Sequence, residues 1–248
     1  MSRQFVDALA PTAPSHEVLL TSREQLWRQG WTLVSDILSG AVLDALGAEA
    51  DRLLHSVPAG VERQSATDDA GGVLVMNGLD ARSELLFDFA RTDALIGMAE
   101  LLLGKAAMPI HIEYFGKPRA GTEATPPHQD QVFYEDHFND EPAITFWCPL
   151  QDVPDGAGAL EYGSPVPSPS GLLPHRRSAN VDFGAELVDA TAYAFTRVPV
   201  PRGGCLVHHS YVVHRSGPMT LDQPRRVFAF NYRGSSFRER LRQGNQAR

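Results

Sequence analysis

Apolar positions in the first hundred residues recur at helical spacing, whereas those in the second half fall in short β-type blocks. In LSGAVLDALGAEADRLLHSV, residues Leu43, Leu46, Ala50, Leu53 and Leu54 follow a period near 3.6 and predict a helix with one apolar face. An earlier helix is expected over REQLWRQG with Ser22 as its N-cap, and WTLVSDI reads as a short strand between the two. Residues 57–79 are polar and glycine-rich until VLVM, which predicts a loop followed by a short strand. SELLFDFARTDALIGMAELLLG predicts further helix, broken near Asp93 and stopped by Gly104.

Beyond residue 108 the texture changes to IHIEYFG, AITFWCPL, ALEYG, RVPVPRGGCLVHH and RVFAFNYRG, separated by proline and glycine clusters. The stretch 163–190 holds four prolines and little periodicity, so it reads as a long crossing loop and a candidate lid. No internal repeat is visible. The pattern predicts a single domain over 1–248, mainly β with flanking helices, in which a helical layer packs on a small barrel or double sheet.

Composition narrows the function more than the fold. The chain has 248 residues, 43% of them hydrophobic, enough for a sizeable core. A net charge of -8 and a pI near 5.6 argue against nucleic acid, which demands a basic face. No apolar run approaches a membrane span, and MSRQFVDALAPTAPSHEV lacks the layout of a signal peptide, so a cytoplasmic protein without membrane contact is expected. The two cysteines, Cys148 and Cys205, sit in apolar strand-like stretches and are expected as buried free thiols.

The candidate chemistry lies in TPPHQDQVFYED. If this segment is a strand, His128 and Asp130 project from the same face, which suits chelation; the pair alone is a weak signal, and a polar loop is the commoner origin of such a pair. The densest histidine cluster is GGCLVHHSYVVHRSGPM. His214 there precedes a sharp turn, while His208 and His209 point to opposite faces of a strand and read as structural. Two histidines and a carboxylate, if they converge, occupy one face of an octahedral Fe(II) and leave positions open for oxygen chemistry. A closed zinc site is the weaker reading because neither cysteine belongs to a C-x-x-C pair. In RRVFAFNYRG, either Arg225 or Arg226 points inward, and an inward arginine requires an anion such as a carboxylate; Ser216 could add a hydroxyl.

The stretches YFGKP, PPHQD, FWCPLQDVPDGAGALEYGS, HRSGPM and PRRVFAFNYR together resemble the phytanoyl-CoA dioxygenase family of Fe(II)/2-oxoglutarate-dependent oxygenases. They span residues 114–233, about half the chain, and GWTLVSDILS is similar to the family's opening segment. The resemblance implies a double-stranded β-helix, a cupin-like jelly roll over about 108–234, with a helical layer over about 16–107. It implies that His128, Asp130 and His214 bind iron, that Arg225 and Ser216 hold the distal carboxylate of 2-oxoglutarate, and that Trp147 lines that pocket. O2 is then the other co-substrate, with succinate and CO2 as by-products of an oxidation. Because Asp130 is present where related halogenases carry a small residue, hydroxylation or another oxidation is implied rather than halogenation. One departure is Gly163-Ser164-Pro165, where many members continue Gly-Ser-His.

Substrate-side candidates are Phe133, Tyr134, Phe138 and Lys117, flanking the metal motif. The expected substrate is a small molecule, either a natural-product intermediate, an amino-acid derivative or an acyl thioester, with HRR at 175–177 as a basic run near the entrance. Two rival readings are a jelly-roll binding protein without turnover and a cupin-like metal enzyme that does not use 2-oxoglutarate.

Overall fold

The first helix starts earlier than its apolar spacing suggests. In the computed structural model, which describes residues 10–56, the backbone of 65–67, and residues 72–134, 141–168, 171–178 and 184–234, α1 spans His16–Gln29. Its N-cap is Ser15, whose Oγ accepts from the Val18 N–H at 3.3 Å. Ser22 is therefore not a cap. It lies inside the helix on the buried stripe with Leu19 and Leu26, and the longer helix buries Leu19 as well. The helix ends at Gly30, whose φ of 88° gives the left-handed cap conformation; a side chain there would also run into Val212.

Strand β1 (Trp31–Val34) and helix α2 (Gly40–His55, capped by Ser39) follow as expected, and Leu43, Leu46, Ala50 and Leu53 form the buried face. Two short strands, β2 (Ser65–Thr67) and β3 (Val73–Met76), precede helices α3 (Glu84–Phe89) and α4 (Asp93–Leu103), which break before Asp93 and stop at Gly104 as the sequence predicts.

The β region comprises β4 (Ala107–Lys117), β5 (Thr125–His128), β6 (Ile144–Pro149), β7 (Leu160–Ser164), β8 (His175–Arg177), β9 (Ala185–Leu187), β10 (Ala194–Val198), β11 (Cys205–His209), β12 (His214–Ser216) and β13 (Arg225–Gly234). A seven-stranded sheet has the order β1-β11-β6-β13-β4-β3-β2, and a four-stranded sheet has the order β10-β7-β12-β5. This is the expected jelly roll with a helical layer. RVPVPRGGCLVHH proves to be two strands in different sheets, because the prolines and glycines between Val198 and Cys205 turn the chain from one sheet to the other. The stretch 163–190 is not wholly a loop: β8 and β9 pair in it, with His175 opposite Leu187, and β9 packs beside β5.

Strand alternation splits the large sheet into two faces. On one, Phe146 and Cys148 of β6, Val207 of β11 and Phe228, Phe230 and Tyr232 of β13 pack against Leu26, Leu46, Leu53, Leu86 and Leu102 of the helices. On the other, Trp147, Leu206 and Val227 meet Leu160 and Tyr162 of the small sheet. Cys148 and Cys205 are buried, free thiols on the helix side. Among the described residues, no helix is long and apolar enough to cross a membrane.

Candidate metal centre and co-substrate pocket

His128 is the last residue of β5, Asp130 the first of a 3-10 turn over Asp130–Phe133, and His214 the first of β12. The two-residue strand alternation expected for His128 and Asp130 does not apply, because the strand ends between them. The turn brings the carboxylate back toward His128 instead. Gln129 pins that turn: its buried side chain donates to the Tyr211 and Gly171 carbonyls at 2.7 and 3.0 Å and accepts from the Leu173 N–H at 2.8 Å. Its own N–H donates to His175 Nε2 at 3.2 Å, which ties the first residue of the HRR run to the back of the site.

Pairing of β12 with β5 sets His214 directly opposite His128, with ring centroids 4.2 Å apart. One ligand atom from each of His128, Asp130 and His214 lies within 4.8 Å of the others. Asp130 Oδ1 is 3.3 Å from His128 Nε2 and 3.5 Å from His214 Nε2. In both histidines Nδ1 faces a carbonyl, Pro126 O at 2.9 Å and Val212 O at 3.2 Å. A carbonyl only accepts, so each Nδ1 carries a proton and each Nε2 is the ring atom turned toward Oδ1. Burial holds the His214 imidazole well below its usual pKa and therefore neutral. Burial pushes the Asp130 carboxyl upward, but the histidines that surround it prevail and hold it well below the usual carboxylate range. Two imidazole nitrogens and one carboxylate, with no thiolate, fit an iron centre with open positions.

At the other end of the interior, Arg225 and Lys117 are buried neighbours on β13 and β4. Arg226, as alternation requires, points outward to Asp51 at 2.7 Å. Arg225 Nη1 donates to Gly158 O at 2.6 Å, its Nε has no partner among the described residues, and its guanidinium carbon is 5.4 Å from the centre of the Trp147 ring. Lys117 Nζ donates to the Glu123 carbonyl. Lys117, a substrate-side candidate of the sequence, sits beside Arg225. Burial draws Arg225 down to about 10 and, with Arg225 adding repulsion, Lys117 down to about 7. Ser216 is on the same face of β12 as His214, buried, and donates to Thr125 Oγ1 at 2.9 Å.

Of the substrate-side candidates, Phe133 is 46% exposed and its ring lies 6.1 Å edge-on from that of His128. Tyr134 donates to Asn231 Oδ1 at 3.2 Å. Phe138 lies outside the described residues. Sequence reasoning missed a polar chain on this side: Thr145 Oγ1 is 3.4 Å from Asp130 Oδ2 and 2.7 Å from Asn231 Oδ1, and Asn231 Nδ2 donates to Glu113 Oε2 at 3.1 Å. It also misread His208. His209 faces the helices and stacks on Trp27, but His208 faces the site, 3.1 Å from Asp130 Oδ2.

A family model described as phytanoyl-CoA dioxygenase matches residues 26–227. The chain belongs to the phytanoyl-CoA dioxygenase family. An L-proline trans-4-hydroxylase from Streptomyces griseoviridis is 25% identical over 86% of this chain and 86% of its own length. A phytanoyl-CoA dioxygenase domain-containing protein 1 from Danio rerio is 32% identical over 47% of this chain, and the match spans 41% of that relative's length. Among solved structures, the non-haem α-ketoglutarate-dependent epimerase SnoN of nogalamycin biosynthesis superposes with a TM-score of 0.71 at 22% identity, covering 89% of this chain and 85% of its own. This family member is a non-haem Fe(II)/2-oxoglutarate-dependent oxygenase that oxidises a small organic molecule.

Proposed function

We propose that His128, Asp130 and His214 hold the iron, that Arg225 and Lys117 with Ser216 receive the distal carboxylate of 2-oxoglutarate against the Trp147 wall, and that substrate enters past Phe133 and Tyr134. The observation that carries this reading is the convergence of two Nε2 atoms and Oδ1 in one interior that also holds the buried Arg225 guanidinium, which has no carboxylate partner among the described residues. A buried guanidinium needs an anion, and a dicarboxylate co-substrate supplies it. When bound, iron with 2-oxoglutarate and O2 supplies the oxidising power, while 2-oxoglutarate leaves as succinate and CO2. The protein's own share is to fix the imidazole tautomers through Pro126 O and Val212 O, to anchor the co-substrate by its far end, and to exclude water from the interior.

The substrate is a small polar molecule, an amino-acid derivative or natural-product intermediate. The Tyr134, Thr145, Asn231 and Glu113 chain supports a polar partner, as does the kinship with enzymes named for L-proline and for nogalamycin biosynthesis. An acyl thioester has less support, since Arg176 of the basic run is paired with Glu186 at 2.8 Å. The free buried thiols favour a cytoplasmic setting.

Anaerobic addition of Fe(II) and then 2-oxoglutarate to metal-free protein tests the reading. A weak visible charge-transfer band is expected in the wild type and absent in Asp130→Ala. Iron binding without the band would remove 2-oxoglutarate and favour a cupin-like enzyme of another kind. With the band in hand, succinate release identifies substrates among amino acids and their derivatives.

A further inference from the structure

Asp130 presents its two oxygens to different partners. Oδ1 faces the Nε2 atoms of His128 and His214, at 3.3 and 3.5 Å, while Oδ2 faces His208 Nε2 at 3.1 Å. An ionised carboxylate only accepts, so His208 Nε2 must carry the proton of that hydrogen bond. Its other ring nitrogen, Nδ1, is held by the Tyr162 hydroxyl at 3.0 Å. Tyr162 is itself fully buried and stacked on Trp31, with centroids 5.1 Å apart and planes 12° from parallel. The other hydroxyl near Oδ2, that of Thr145, is 3.4 Å away and has its shorter contact, 2.7 Å, with Asn231 Oδ1. His208 is therefore the principal donor to Oδ2.

We infer that His208 is a positioning residue for the iron centre: through the relay from Tyr162 to His208 to Asp130 it holds the carboxylate with only Oδ1 available to the metal. The inference rests on the assignment of Asp130 as an iron ligand. A carboxylate free to turn can offer both oxygens, and the second would take one of the positions that the co-substrates need. The same hydrogen bond excludes His208 from the metal, because its Nε2 has no lone pair left to give. A third imidazole thus stands among the ligands without being one.

The test compares His208→Phe, His208→Gln and Tyr162→Phe with the wild type, using Fe(II) dissociation constants from competition with a chromophoric chelator. Removal of a partner to a ligand carboxylate is expected to weaken iron binding roughly 10–100-fold in His208→Phe. His208→Gln restores an N–H donor and should stay within about threefold of wild type, with Tyr162→Phe between the two. The nitrogen count in the electron paramagnetic resonance spectrum of the Cu(II)-substituted protein separates positioning from ligation. Two histidine nitrogens in both wild type and His208→Gln support the relay; three falling to two makes His208 a ligand and overturns it. Unchanged iron affinity in His208→Phe overturns it as well. Should His208→Phe fail to fold, the glutamine variant and its copper spectrum decide alone. Failure of the wild type to bind iron overturns the metal centre itself, and the relay with it.

Discussion

Arg225 and Lys117 are direct partners across β13 and β4, both buried, each donating to a backbone carbonyl, that of Gly158 for Arg225 and of Glu123 for Lys117. Two cations so placed repel each other and lack solvent, which is a stable arrangement only when an anion joins them. Arg225→Ala should therefore raise the 2-oxoglutarate KM by roughly 100-fold, the loss of about 3 kcal/mol of charged hydrogen bonding, and leave the Fe(II) dissociation constant within about threefold. Arg225→Lys should recover little, since the planar fork is lost. Titration of each variant with Fe(II) and then 2-oxoglutarate separates the effects; loss of iron binding in Arg225→Ala would show that the pocket roles are wrong.

Lys117 makes this pocket sensitive to pH. Its pKa of about 7 lies below the ordinary 10.5, so between these values the unfolded chain holds a proton that the folded one has released. Stability of the ligand-free enzyme should accordingly rise with pH across that window and be lower at pH 6 than at pH 9. 2-Oxoglutarate draws the proton back, so its affinity should fall as pH rises above 7, by up to about tenfold per unit. Lys117→Met should flatten both trends, readable by thermal unfolding and by calorimetric titration at pH 6.5, 7.5 and 8.5.

His209 gives an effect in the acid range. Burial against Trp27, with His208 adding to it, draws its pKa down to about 4. Between pH 6.5 and 4 the unfolded chain binds the proton and the folded protein does not, so stability falls as pH falls through this window. His209→Phe keeps a ring on Trp27 and should lessen the loss of urea resistance between pH 7 and 5. An unchanged slope would assign acid sensitivity elsewhere.

The helical layer supports the sheet that carries Thr145, Trp147, His208 and Arg225. Leu46 is buried at the centre of that layer, and Leu46→Ala should cost about 2–5 kcal/mol in chemical denaturation. Because its side chain points away from the site, iron and 2-oxoglutarate binding should persist at temperatures where the variant is folded.

By itself the sequence determined much of the site. His128 and Asp130 flank a single residue, His214 precedes a turn, and an Arg225–Arg226 pair on a strand must send one member inward; these are local facts of residue type and alternation. The same is true of the helices, whose apolar period and glycine stops are local. The start of α1 escaped because Ser15 and Ser22 are both competent caps, and only burial of Leu19 against the fold selects the first.

Other features are set by long-range pairing. The β5–β12 register sets His214 opposite His128, and β13–β4 pairing sets Lys117 beside Arg225. His208 and His209 carry the same letter on adjacent positions; one became the partner of Asp130 and the other the stacking partner of Trp27 because β11 lies between β1 and β6, with one face on the helices and one on the site. Alternation dictated that the two histidines part company. Which of them faced the metal centre depended on the direction in which the completed sheet turned its faces, and that is decided only when the helices bury one of them.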